Sequence, residues 1–185
     1  MYLTRFGSIL TPDWGTPSLQ DIAYTLSKII RYNGASRVDI SVAAHSILTY
    51  ELAKYNNEHI RIQLLCLLHD AAESAIGDVP SPFKNDGLKE TEKKIWLRIL
   101  NSFGVEPPKD EEQTVVDFYD KQCLRIEAHV LGAGGHGFED IVPLPTVANE
   151  IETFKSNLAN KDYDWGLLFE RLVRQSLSIY HEGPV

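Results

Sequence analysis

The sequence predicts an all-α fold, a helical bundle led by a short irregular N-terminal arm. Three observations predict it. Apolar residues recur at three- and four-residue spacing along most of the chain. Cap and breaker residues stand at the ends of those stretches. No alternating strand pattern competes with them. At 185 residues, the length suits one domain spanning 1–185. It is also enough to bury a core without disulfides or a structural metal.

The arm covers residues 1–17, with a short strand expected near Tyr2 to Ile9 before Pro12, Gly15 and Pro17 break any regular continuation. Ser18 followed by Asp21 reads as a helix N-cap with an acid in the first turn. Ile22, Ala23, Leu26, Ile29 and Ile30 then give one apolar face to about Tyr32, with Gly34 as the C-cap. A second helix is expected from Ser41 to about Tyr55, buried through Val42, Ala43, Ile47, Leu48 and Leu52. The third, about 58–76, is apolar on nearly all sides and therefore central, and Gly77 ends it. Pro80 and Pro82 force a turn in DVPSPFK. A fourth helix over about 87–103 turns Ile95, Trp96, Ile99 and Leu100 inward, and Gly104 with Pro107-Pro108 closes it. A fifth is expected over about 111–131, then a glycine-rich loop at 132–137, then helices over about 146–159 and 164–180.

Composition narrows the function classes. With 18 Lys and Arg against 26 Asp and Glu, the net charge is −8. Duplex nucleic acid is excluded as a partner, because such surfaces carry a basic footprint. A small phosphorylated ligand is not, since a few local cations or a metal can serve it. The opening MYLTRFGSIL lacks the apolar run of a signal peptide. No stretch approaches the length of a membrane span. Cys66 and Cys123 lie in apolar helical patterns and read as buried free thiols. These features predict a cytoplasmic protein with no membrane partner.

Chemistry concentrates on the third predicted helix. Burying a carboxylate is costly unless it is paired or bound to a metal. Yet LLCLLHDAAESAIG carries His69, Asp70 and Glu73 together. On a continuous helix His69 and Glu73 stack one turn apart, with Asp70 beside them. Alone, the trio also fits a helix end where His69 and Asp70 satisfy each other. Two more residues extend the set. His45 lies on the preceding helix, and Asp120 lies at the edge of the inward stripe of the fifth, with Asp117 on its outer side. Read alone, His45 fits a hydrogen-bonded core histidine and Asp120 a solvated acid. Together, two imidazoles and two carboxylates suit one divalent transition ion with positions left open for water and substrate.

His45, the adjacent His69-Asp70 pair and Asp120 resemble the H…HD…D metal site of the HD-domain phosphohydrolase superfamily. RYNGASRVDISVAAHS, LLHDAAESAIGDVPSPFK and YDKQCLRIE resemble successive blocks of its small deoxynucleotide-hydrolysing branch, over about residues 18–131. That branch includes 5′-deoxynucleotidases and phage deoxynucleoside triphosphohydrolases. The resemblance implies an HD-domain bundle in which His45, His69, Asp70 and Asp120 hold one divalent ion of the Co, Mn, Zn or Ni class, with a second ion such as Mg on the substrate phosphates. It implies Glu73 and Asp78 as the catalytic carboxylates, serving attack and leaving-group protonation in an order the sequence leaves open. Arg31, Tyr32 and Lys84 become substrate contacts. The bland alternatives are a helix-terminal cation for Arg31 and a solvated lysine for Lys84. Tyr32 departs from the Trp or Phe usual after this arginine, in the loop expected to choose the base.

The implied activity is hydrolysis of a deoxynucleotide at the α-phosphorus. The RYNG loop favours a triphosphohydrolase, with dATP one candidate substrate, over a 5′-nucleotidase on monophosphates. A non-catalytic nucleotide sensor is the reading from another class. The implied assembly is a homo-oligomer, dimer or hexamer, with Trp14, Trp96, Trp165 and the arm as interface candidates. A phage-encoded member would work in its host's cytoplasm. His129 and His136 read as surface groups.

Overall fold

The computed structural model describes residues 1–36, 38–130 and 148–183. The glycine-rich loop and His136 lie outside them, as does the side chain of His129. The described chain is almost entirely helical, as its periodicity predicts. Its only sheet among the described residues is an antiparallel hairpin of β1 (Tyr2–Leu3) and β2 (Ile9–Leu10) in the arm.

The arm is irregular but anchored. Asp21 sits in the first turn of α1 (Leu19–Lys28) and completes a capping box with Ser18. Its carboxylate also accepts from the Phe6 amide at 3.0 Å and the Ser8 hydroxyl at 2.6 Å. From the other side, the Arg98 guanidinium donates to the carbonyls of Pro12 and Gly15.

Helix α1 stops at Lys28, short of the expected Tyr32. Ile30 leaves the helix to form an isolated antiparallel bridge with Ser41. The Arg31 amide then bonds the Ile40 carbonyl at 2.9 Å, and the Val42 amide bonds Ile29 at 3.0 Å. These long-range bonds replace the last intrahelical ones. They throw residues Arg31–Gly34 into a short 3₁₀ turn in which Tyr32 (φ 59°) and Asn33 (φ 53°) are left-handed.

Helix α2 (Val42–Tyr55), capped by Ser41, is buried from Val42 through Tyr50. It packs against α1, α3, α6 and α8. The centre of the bundle is therefore shared by α2 and α3 (Ile60–Leu68), not held by the third predicted helix alone.

That third helix is interrupted. After α3 comes a turn at His69–Ala72, then the single-turn α4 (Glu73–Ile76). Through the turn the backbone bonds tighten to the i→i−3 type, as in Ala71 to Leu68 at 3.1 Å and Glu73 to Asp70 at 3.0 Å. Side chains also bond carbonyls at this turn. Trp96 donates to the Leu68 carbonyl at 2.8 Å, and His69 Nδ1 reaches that of Cys66 at 2.7 Å.

Gly77 (φ 82°) ends α4, and the proline-rich turn leads into α5 (Asp86–Ser102), capped by Asn85. Helices α6 (Asp110–Val130), α7 (Ala148–Ala159) and α8 (Trp165–Glu182) follow, close to their expected bounds. Gly166 lets α8 lie against α1, since a Cβ there would sit 3.0 Å from the Ala23 carbonyl. Both cysteines are free and buried. No helix among the described residues is long and apolar enough to cross a membrane.

Candidate metal centre and pocket

The four predicted ligands converge from three segments. His45 comes from α2 and is 0% exposed. His69 and Asp70 come from the tight turn after α3, and Asp120 from the middle of α6. The two Nε2 atoms lie 3.2 Å apart. Asp70 Oδ2 is 3.5 Å from His45 Nε2 and 3.2 Å from His69 Nε2. Asp120 Oδ1 is 3.1 Å and 3.8 Å from the same two atoms. The break after Leu68 replaces the regular helical step from His69 to Glu73 that the sequence suggested.

The hydrogen bonds behind the imidazoles decide what they can bind. His69 Nδ1 faces the Cys66 carbonyl, which only accepts, so Nδ1 carries the hydrogen. His45 Nδ1 faces Glu127 Oε1 at 2.9 Å, so it carries one too. Each neutral ring therefore turns a lone pair at the other and at two carboxylates. Protonation is one relief. Burial opposes the charged form of His69, but Asp70 and Asp120 outweigh it and push the group up to about 10. Two imidazoliums in contact repel, however, whereas one divalent cation could be shared by His45, His69 and Asp120, whose ligand atoms lie within 4.8 Å of one another, with Asp70 3.2 Å from His69 Nε2. The donor set and the outward-held Nδ1 hydrogens fit such an ion.

Glu127 escapes the sequence reading. It is 0% exposed and lies two turns beyond Asp120 on α6. One oxygen receives His45 Nδ1–H. The other accepts the Tyr32 hydroxyl at 2.6 Å and sits 3.2 Å from Arg31 Nε. Burial pushes this carboxyl up, but His45 and Arg31 hold it below the usual range. A signal was available: Asp120, Cys123 and Glu127 share one helical stripe at three- and four-residue steps. Cys123 Sγ touches His45 Nδ1 at 3.2 Å from the same stripe.

Above the centre opens a pocket of about 430 Å³, lined by Arg31, Tyr32, Asp70, Glu73, Asp78, Lys84, Asp120, Leu124 and the Val79–Pro82 wall. The size suits a small ligand. Arg31 is no free helix-terminal cation; it is largely buried between Glu127 and Asp70, whose Oδ2 lies 3.6 Å from Nη1. Lys84 is not a solvated lysine either. It pairs with Glu92 at 2.7 Å and reaches within 3.7 Å of Glu73. Glu73 is buried, and its Oε2 has no hydrogen-bond partner. Burial first, then Asp70 and Asp78, push its carboxyl up to about 9. Burial also raises half-buried Asp78.

Of the interface candidates, Trp96 is spent on Leu68 and Trp165 packs against Phe154 and Tyr163. Trp14 is 62% exposed.

No family model matches the chain. An uncharacterized protein of Rhodobacter capsulatus is 36% identical over 94 residues, covering 47% of this chain and 48% of that protein. The uncharacterized protein YfdR of Escherichia coli K12 is 31% identical over 122 residues, covering 65% of this chain and 64% of YfdR. The chain thus matches less than two thirds of either relative's length. Among solved structures, the HD phosphohydrolase DatZ of cyanophage S-2L, bound to dA and one catalytic Zn²⁺ ion, is 20% identical. The superposition covers 86% of this chain and 99% of that one, with a TM-score of 0.48.

Proposed function

We propose that this chain is a metal-dependent phosphohydrolase that cleaves deoxynucleotides at the α-phosphorus. One observation carries the reading. Two imidazole Nε2 atoms face each other at 3.2 Å, and Asp70 and Asp120 each place an oxygen within 3.8 Å of both, beneath a pocket that also holds two further carboxyl groups and two cations. Neither a scaffold nor a plain binding pocket needs two imidazole lone pairs turned at each other and at two carboxylates, and Glu73 and Asp78 beside them weigh against a pure sensor. The H…HD…D spacing resembles the HD phosphohydrolases, which adds to the case.

His45, His69, Asp70 and Asp120 would hold the ion. When bound, it supplies Lewis-acid stabilisation of a phosphoryl oxygen and makes water a better nucleophile. Arg31 and Lys84 orient the phosphate by charge. Glu73 and Asp78 divide the proton transfers. One takes the proton of the attacking water as the new P–O bond forms, and the other protonates O5′ as the P–O5′ bond breaks. Tyr32 stands at the pocket wall where sugar or base would lie.

The resemblance of the RYNG turn to the phage branch supports a deoxynucleoside triphosphate as substrate, giving nucleoside and triphosphate. A second reading, 5′-nucleotidase activity on monophosphates, is favoured by the charge of the pocket. Arg31 and Lys84 are its only cations among the described lining residues, and both are already paired with carboxylates. A triphosphate would therefore bring its own Mg²⁺.

The test is a screen of all dNMPs and dNTPs with Co, Mn, Mg, Ni and Zn. Phosphate release is read from the monophosphates and products are separated by chromatography from the triphosphates. Triphosphate release from a dNTP is expected. Rapid phosphate release from dAMP with dATP untouched selects the nucleotidase instead. A metal-loaded protein that binds nucleotides but turns none over is a sensor, and the proposal fails.

A further inference from the structure

We propose that Glu127 is a positioning residue that couples the substrate-side turn at Arg31-Tyr32 to the metal ligand His45. The inference rests on the reading of His45 as a ligand.

The geometry divides the two oxygens of one buried carboxylate between two tasks. Oε1 takes the Nδ1–H of His45 at 2.9 Å, which fixes the tautomer and aims the Nε2 lone pair at the metal position. Oε2 takes the Tyr32 hydroxyl at 2.6 Å and faces Arg31 Nε at 3.2 Å. No water screens these contacts, because Glu127 is fully buried.

What Oε2 holds is a strained segment. Tyr32 and Asn33 both adopt left-handed φ, and side chains pay of order 1 kcal/mol each for that conformation. Such a turn persists only where its surroundings over-determine it. On one side the backbone bonds from Arg31 to Ile40 and from Val42 to Ile29 pin its start. On the other the Tyr32 hydroxyl is its side-chain tether. The same turn sets Arg31 against Asp70, a second predicted ligand, at 3.6 Å. Turn and metal centre therefore share an anchor, and a change at either end passes through Glu127.

A glutamine cannot do both tasks. Its single carbonyl oxygen satisfies His45 or the Arg31-Tyr32 side, and its amide turns hydrogens toward the other. Glu127→Gln keeps the volume, so the core stays filled.

The experiment measures Co²⁺ affinity and the Co²⁺ visible spectrum without substrate, in wild type, Glu127→Gln, Tyr32→Phe and the double variant. Melting of the metal-free proteins serves as the folding control. Glu127→Gln should weaken Co²⁺ binding about tenfold or more and shift the ligand-field bands. Tyr32→Phe, which touches no predicted ligand, should weaken it about threefold. In the double variant the Tyr32 change should add nothing, since its path is already cut. If Glu127→Gln fails to fold, the Tyr32→Phe affinity still decides, because an unchanged value overturns the coupling. So do equal affinities in wild type and Glu127→Gln, or fully additive losses. Because no substrate is present, a wild type that binds Co²⁺ but hydrolyses nothing defeats the proposed activity alone. A wild type that binds no Co²⁺ overturns both.

Discussion

Each imidazole at the centre has one nitrogen already committed, and the two commitments differ in cost. His69 Nδ1–H rests on the neutral main-chain carbonyl of Cys66, whereas His45 Nδ1–H rests on the buried carboxylate of Glu127. Replacing either histidine by alanine removes a proposed ligand and should lower metal content at least tenfold, measured by elemental analysis after reconstitution. Only His45→Ala also leaves Oε1 of buried Glu127 without its imidazole partner, which costs about 1–3 kcal/mol. Metal-free His45→Ala should therefore melt below metal-free His69→Ala, and equal melting temperatures would contradict the buried pairing. Glu73→Gln separates chemistry from binding. It should retain the metal and lose about 10²–10⁴-fold in kcat, and a variant with full activity removes Glu73 from the mechanism. The proposed ligand residues could be picked out as candidates because imidazoles and acids stand out on apolar helices. Glu127 could not, because IEAHV presents it as one more charged residue of a long helix, and its partners lie 82 and 95 residues away.

Helical elements were legible wherever local chemistry decides them. Ser18, Ser41, Asn85 and Asp164 cap α1, α2, α5 and α8 through their own side chains. Misreadings fell where a distant partner takes over a backbone group. The break after Leu68 is accompanied by a hydrogen bond from Trp96 of α5, and the early end of α1 by the bridge from Ile30 to Ser41. Periodicity inside LLHDAAESAIG carries no trace of either. The same kind of tie holds α3 to α6 and α8. Arg61 donates to Glu112 at 2.7 Å, to the Tyr180 hydroxyl at 3.1 Å and to the Glu106 and Pro107 carbonyls. The Arg61 hydrogen bond is the main reason the Glu112 carboxyl lies at about 2. A depressed folded value means the pair contributes stability above the unfolded value of about 4.3 and loses it as pH falls toward about 2. Wild-type stability should drop across that window more steeply than that of Glu112→Gln, read by denaturant melts at stepped pH. Parallel profiles would leave Glu112 without a role in acid stability.

At the scale of the whole molecule, the acidic excess and the metal centre belong to one electrostatic argument. Four carboxyl groups line the pocket against two cations, in a chain whose net charge is already −8. An anionic nucleotide approaching the metal-free pocket meets net negative charge in partly desolvated surroundings, where such repulsion is weakly screened. A divalent ion held as proposed by His45, Asp120 and the His69-Asp70 turn would reverse that sign where the phosphate must sit. It would also tie α2, α6 and the break after α3 into one unit. An unfolded chain cannot assemble the set, so binding stabilises the fold by mass action. At 100 times Kd the gain is about 2.7 kcal/mol, or about 5–10 °C in a domain of this size. Chelation should lower the melting temperature by that amount, and His69→Ala should show no response to either metal or chelator. Nucleotide should then shift melting only in the metal-loaded wild type, since without the ion Arg31 and Lys84, each already paired with carboxylates, only partly offset the acidic lining. A nucleotide shift of equal size in the chelated protein would place phosphate binding on Arg31 and Lys84 alone and detach recognition from the metal.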